Sequence, residues 1–152
     1  MRIFQRLASL AILALLAVPP APAQTNPSAE HELFLSANRA RKAQSLPPLL
    51  WYESLAQAAR KHASVMAQHG DAEHNFPGEP TLAARVTQAG VRFAWLAENV
   101  CQGASYVAIE TQFMKSANHR ANILDPDMNA LGVGVIERNG QFYAVEDFSQ
   151  VK

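Results

Sequence analysis

The dipeptide Asn139-Gly140 separates two runs rich in β-branched and aromatic residues, Leu131 to Arg138 and Gln141 to Phe148. A two-residue loop of this kind accepts positive φ at both positions and matches the twist of a hairpin, so the runs pair antiparallel. A lone hairpin is only marginal in water. The remainder must therefore cover it, and the remainder reads helical. Leu33, Phe34, Ala37 and Ala40 recur at helical spacing over 29–44, ahead of the Leu46-Pro47-Pro48-Leu49 stop. Leu55, Ala59, His62, Met66 and His69 make one stripe on a second helix over 53–68, closed by Gly70. A short third helix is predicted over 81–89, an extended stretch over 91–100, and a fourth helix behind the cap Ser105. A last helical turn is predicted over 118–124. Helices first and strands last make an α+β chain, a single domain with helices packed on a small antiparallel sheet.

The first 23 residues stand apart. Arg2 and Arg6 precede an apolar run from Leu7 to Val18, too short for the roughly 20 residues of a bilayer span. Ala21-Pro22-Ala23 then supplies the small side chains of a signal-peptidase site, so 1–23 reads as a signal peptide cut after Ala23. Residues 24–30 read as a flexible lead-in and 31–150 as the folded domain. The expected location is secreted or periplasmic, with no stable membrane anchor after cleavage. No cysteine follows the apolar run to take a lipid. The one cysteine, Cys101, excludes an internal disulfide framework, so packing alone must stabilise the exported chain. Thirteen Lys and Arg against thirteen Asp and Glu leave no basic surface for nucleic acid.

Several signatures fail on inspection. His31-Glu32 opens a zinc-protease helix motif, but Leu35 stands where the second histidine belongs. Asp125, Asp127 and Asn129 imitate a calcium loop that then lacks its glycine and closing glutamate, with Ala130 and Ile136 there instead. Gly132-Val133-Gly134 lies within a predicted strand and has no following helix, so it is not a dinucleotide fingerprint.

Three polar segments survive: Glu73-His74-Asn75-Phe76, Ala97-Glu98-Asn99-Val100 and Lys115 to Leu124, which holds Ser116, His119 and Asn122. Two imidazoles and a carboxylate, if brought together, can hold a zinc-like ion with a position open for water, or pass protons near neutrality. Ser116 is either a nucleophile polarised by His119 or a local helix cap. Asn99 and Asn122 suit loop hydrogen bonding, His62 and His69 suit buried packing, and Cys101 suits a small buried hydrophobe. Trp51, Trp95, Tyr106 and Phe113 suit core or cleft wall.

These segments, with Leu35 to Arg41, Leu49-Leu50-Trp51, the Ala59/His62/Met66 helix, Gly132-Val133-Gly134 and Phe148 in order, resemble the CAP superfamily of cysteine-rich secretory, antigen 5 and pathogenesis-related proteins. The resemblance is to its compact bacterial SCP-domain form. It implies an α-β-α sandwich and a cleft lined by two histidines and two acidic residues. His74 and His119 match the histidines and Glu98 the first acid, while the second acidic position falls on Ser116. Ala97 replaces the usual glycine before Glu98. The resemblance further implies a divalent metal, zinc or a similar ion, held by His74 and His119 with Glu98 as third ligand or orienting partner. A small apolar or lipid-like ligand would bind nearby. A peptidase-like hydrolase using Glu98, His119 and Ser116, and a non-catalytic cell-envelope interaction module, are the alternatives. Whether the cleft is catalytic, and what oligomeric state the chain adopts, stay open.

Overall fold

A computed structural model describes residues 22–152. The leader expected over 1–23 falls, apart from its last two residues, outside them. The elements run β1 (Gln24–Thr25), α1 (Pro27–Ala43), β2 (Leu50–Trp51), α2 (Glu53–His69), α3 (Leu82–Gln88), β3 (Phe93–Gly103), α4 (Tyr106–Lys115), α5 (Ala117–Ile123), β4 (Ala130–Arg138) and β5 (Gln141–Val151). The hairpin forms as expected. Asn139 and Gly140 both have positive φ, 53° and 73°, and Arg138 pairs with Gln141. The strands stand in the order β1-β4-β5-β3, antiparallel throughout, while β2 adds to β4 in parallel.

Alternation along the strands sends residues to two faces. On one, Leu131, Val133, Val135, Ala144 and Phe148 pack under α1, α4 and α5 through Leu33, Ile109, Phe113 and Ile123. On the other, Val100, Ile136, Tyr143 and Val145 meet Ala59, Ala63 and Met66 of α2. Val86 of α3 closes that layer beside Leu55 and Ala58. This is the α-β-α sandwich.

The sheet and α2 touch backbone to backbone. A Cβ on Gly132 would lie 2.1 Å from Ala56 N, and one on Gly134 would lie 2.2 Å from Arg60 N. The Gly-Val-Gly sequence therefore serves close helix–strand packing, with Val133 pointing to the opposite core.

The lead-in is a correction. Residues 24–30 form β1 and the first turn of α1, because the Asn26 side chain accepts from Ala29 N at 3.1 Å and Pro27 suits the helix start. β1 pairs with Ile136 and Glu137 at one end of β4, and β2 pairs with Ala130 and Leu131 at the other. Between them the buried Glu30 accepts from Val135 N at 3.2 Å while Arg60 grips its carboxylate at 2.8 Å. Buried Arg41 donates to the carbonyls of Pro47, Ile123, Asp125 and Met128, joining the end of α1 to the approach to β4.

Gly134→Ala should lower stability by about 3 kcal/mol, the upper end for overpacking, and Tm by about 10 °C. An unchanged thermal melt would show that α2 lifts off the sheet at little cost.

Candidate functional site

Glu98 and Asn99 are neighbours on β3 and so project to opposite faces of the sheet. Asn99 is wholly buried on the α5 side. Its Nδ2 donates to His119 O at 3.1 Å and Glu146 Oε2 at 3.0 Å, and its Oδ1 accepts from Asn122 Nδ2 at 2.9 Å. Asn122 also donates to Glu98 O at 3.3 Å. These bonds pin α5 to the strand that carries Glu98, while Phe113 meets the His119 ring edge-on at 5.2 Å.

On the α2 side Glu98 is buried and both its oxygens are engaged. Oε1 accepts from His74 Nδ1 at 2.9 Å. Oε2 accepts from Arg85 Nη2 and lies 3.9 Å from His62 Nε2. Arg85 also donates to the carbonyls of His74 and Pro80, fixing the loop that carries His74. His62 faces acceptors at both nitrogens, Glu79 Oε1 at 2.7 Å and Glu73 O at 2.9 Å. Glu79 Oε2 takes Phe76 N–H at 3.2 Å.

The electrostatics follow from these contacts. Burial favours a neutral Glu98, but the hydrogen bond from His74 and the charges of Arg85 and His62 outweigh it and hold the carboxyl below its usual range. The bond to Glu98 raises His74 above the ordinary imidazole value. His119 moves the other way, lowered by burial and then by the charge on His74, so the two rings lie within electrostatic reach. His74 keeps its side chain 59% exposed. His119 Nδ1 is buried without a partner, which leaves Nε2 as its nitrogen for a ligand.

The structure thus joins His74 to Glu98 directly, and Asn99 and Asn122 tie the backbone of α5, which carries His119, to the Glu98–Asn99 segment. Ser116 is the N-cap of α5, its Oγ accepting from His119 N at 3.4 Å. His62 is the buried packer expected, but His69 is exposed and stacks on Phe76 at 4.3 Å. Cys101 is buried, its thiol pushed up to about 11 by burial. Trp95, expected in core or cleft wall, is 60% exposed. Arg85, Glu79 and Asp147 were not singled out from the sequence. The one available signal was Glu146-Asp147, two adjacent acids in a strand that buries both faces.

Among the described residues no three His, Cys, Asp or Glu side chains stand as a ready metal cluster. A groove of about 380 Å³ lined by Pro27, Glu30, His31, Phe34, Trp51 and Arg60 shares no residue with the cleft. No helix among the described residues is long and apolar enough to cross a membrane.

A three-layer sandwich with a histidine held by a buried glutamate has the form of a CAP/SCP-type domain. The cysteine-rich secretory protein (CAP) family profile matches residues 36–148, and the chain belongs to that family. YkwD of Bacillus subtilis, described as uncharacterised, is 29% identical over 109 residues, which cover 71% of this chain and 42% of that protein. An extracellular SCP-domain protein of Bacillus anthracis superposes with a TM-score of 0.76 at 26% identity, covering 82% of this chain and 41% of that one. The chain therefore spans less than half the length of these two relatives. An outer surface protein of Borrelia burgdorferi, 16% identical, shares the fold with a TM-score of 0.78 over 86% of this chain and all of its own.

Followed by NMR, His74 should titrate above the reference imidazole value of 6.5 and His119 below it. Glu98→Gln should bring His74 down. Two histidines titrating together, indifferent to Glu98, would break this account of the cleft.

Proposed function

We propose that the chain is an exported binding protein whose cleft holds a divalent cation such as zinc between His74 and His119. The observation that carries this reading is the Glu98–His74 bond. A carboxylate on Nδ1 fixes the tautomer that leaves Nε2 as a lone-pair donor, the usual support of a metal-bound imidazole. Glu98 is then the orienting group rather than a ligand, since its oxygens serve His74 and Arg85. Lowered basicity keeps His119 neutral near pH 7 and ready to donate. When bound, such an ion supplies a Lewis-acid centre with positions open to water or to a ligand. Two neutral imidazole nitrogens suit such an ion.

Calorimetry with zinc should give binding heats that vanish in His119→Ala and His74→Ala. In Glu98→Gln the affinity should fall by about 10-fold. Protons compete for His74, and its raised basicity starts the loss of affinity above pH 6.5 as the solution is acidified. Identical heats in wild type and His119→Ala would remove the metal reading.

The apolar or lipid-like ligand suits the Phe34–Trp51 groove better than the cleft. The two rings meet edge to face at 5.4 Å and offer an apolar wall. Binding of a fluorescent fatty acid should weaken severalfold in Phe34→Ala and persist in His119→Ala. The reverse pattern would return the ligand to the cleft.

A further inference from the structure

Asp147 on β5 stands directly opposite Glu98 on β3. The Glu98 carbonyl points away from β5, toward Asn122. The two residues are therefore one of the pairs not joined by backbone hydrogen bonds, in which facing side chains approach most closely. Both are buried, Asp147 completely. Two carboxylates facing each other out of water cannot both be ionised without a strong penalty, so one of them carries a proton.

The surroundings decide which. Glu98 accepts from His74 and Arg85. Neither oxygen of Asp147 has a donor, and Ser149 Oγ, two residues along the same face, is also without a partner. From β4 only Gly132 faces Asp147, and it has no side chain. The charged groups nearby are Arg85 on α3 and, beyond Glu98, His62 on α2 with Glu79 behind it. All of them bond to Glu98 or Glu79 rather than to Asp147. The negative charge therefore belongs on Glu98 and the proton on Asp147.

We propose that Asp147 is a neutral carboxylic acid that donates its hydroxyl hydrogen to Glu98, making it a positioning residue for the Glu98–His74 pair. The orphaned oxygens are thereby explained: as a carboxylate Asp147 would have nothing to accept from, whereas as an acid it becomes the donor. Three donors from three places then converge on Glu98: His74 from its loop, Arg85 from α3 and Asp147 from β5. The direction of its acidity agrees. Burial raises the Asp147 carboxyl well above its usual range, the charge on Glu98 raises it further, and Arg85 only partly offsets this. The proposal rests on Glu98 as the orienting partner of His74 and not on any bound ion.

The test uses metal-free protein, so a chain that binds no zinc leaves it intact. Infrared spectra at pH 7 should show a protonated carboxylic-acid carbonyl band. Glu146, buried on the other face and pushed up to about 8, contributes to that band, so Glu146→Gln should remove only part of it. Asp147→Asn, which keeps the shape and an N–H donor, should remove the rest. An acid whose folded value is raised is protonated in the folded chain and ionised in the unfolded one over the pH range between the two values. Wild-type stability therefore declines with rising pH there. Asp147→Asn lacks that proton, so its Tm relative to wild type should climb between pH 4 and pH 8. A band that Asp147→Asn leaves unchanged, or a Tm deficit that grows with pH, would overturn the proposal. If Asp147→Asn does not fold, Glu146→Gln alone decides: a persisting band supports the proposal, and its disappearance overturns it.

Discussion

The seating of α2 on bare backbone at Gly132 and Gly134 is the contact on which the rest of this structure depends. A single Cβ at either position would force the helix outward by more than an ångström. His62 would withdraw from Glu73, Glu79 and the edge of Glu98, and the wall behind Glu98 would open. Close packing in this protein thus does electrostatic work. It excludes water from a row of charged groups that hold their places only because they are dry and paired.

The sheet separates two buried polar clusters that share one strand. On the α2 side Glu98, Arg85, Glu79 and His62 form a closed ring in which acidic and basic side chains alternate. On the other side Glu146, held by Asn99, faces the Ser36–Glu110 pair across the α1–α4 layer, and burial and the Glu110 charge push it up to about 8. Asn99 is the hinge of this arrangement, because its side chain reaches both Glu146 and the backbone of His119. The second carboxyl that the resemblance assigned to the Ser116 position is not needed at the α5 end, where Ser116 instead closes the helix.

Periodicity and turn chemistry made most of the fold legible. Asn139-Gly140 located the hairpin, Gly70 ended α2, and Ser105 began α4, because each feature is local. β1 and β2 left no such trace. They are two residues long, too short for any alternation, and exist only because β4 leaves its outer backbone groups unpaired. The site was legible unevenly. His74, Glu98 and His119 could be named by resemblance, but their spacing along the chain says nothing of their meeting. Arg85 sits on a seven-residue helix with no local signal to mark it, and only the fold buries its guanidinium against Glu98. Asp147 was hidden inside a strand whose apolar neighbours already explained its burial.

One border of the sheet, the outer side of β4, is covered by other parts of the same chain. That border is lined by a two-residue strand, a buried carboxylate and a second two-residue strand. An uncovered strand edge invites strand-to-strand adhesion between copies of a chain. On the β4 side, backbone groups of the edge are taken instead by residues 24–25, by Glu30 and by residues 50–51. Self-association through that margin would first require peeling those segments away.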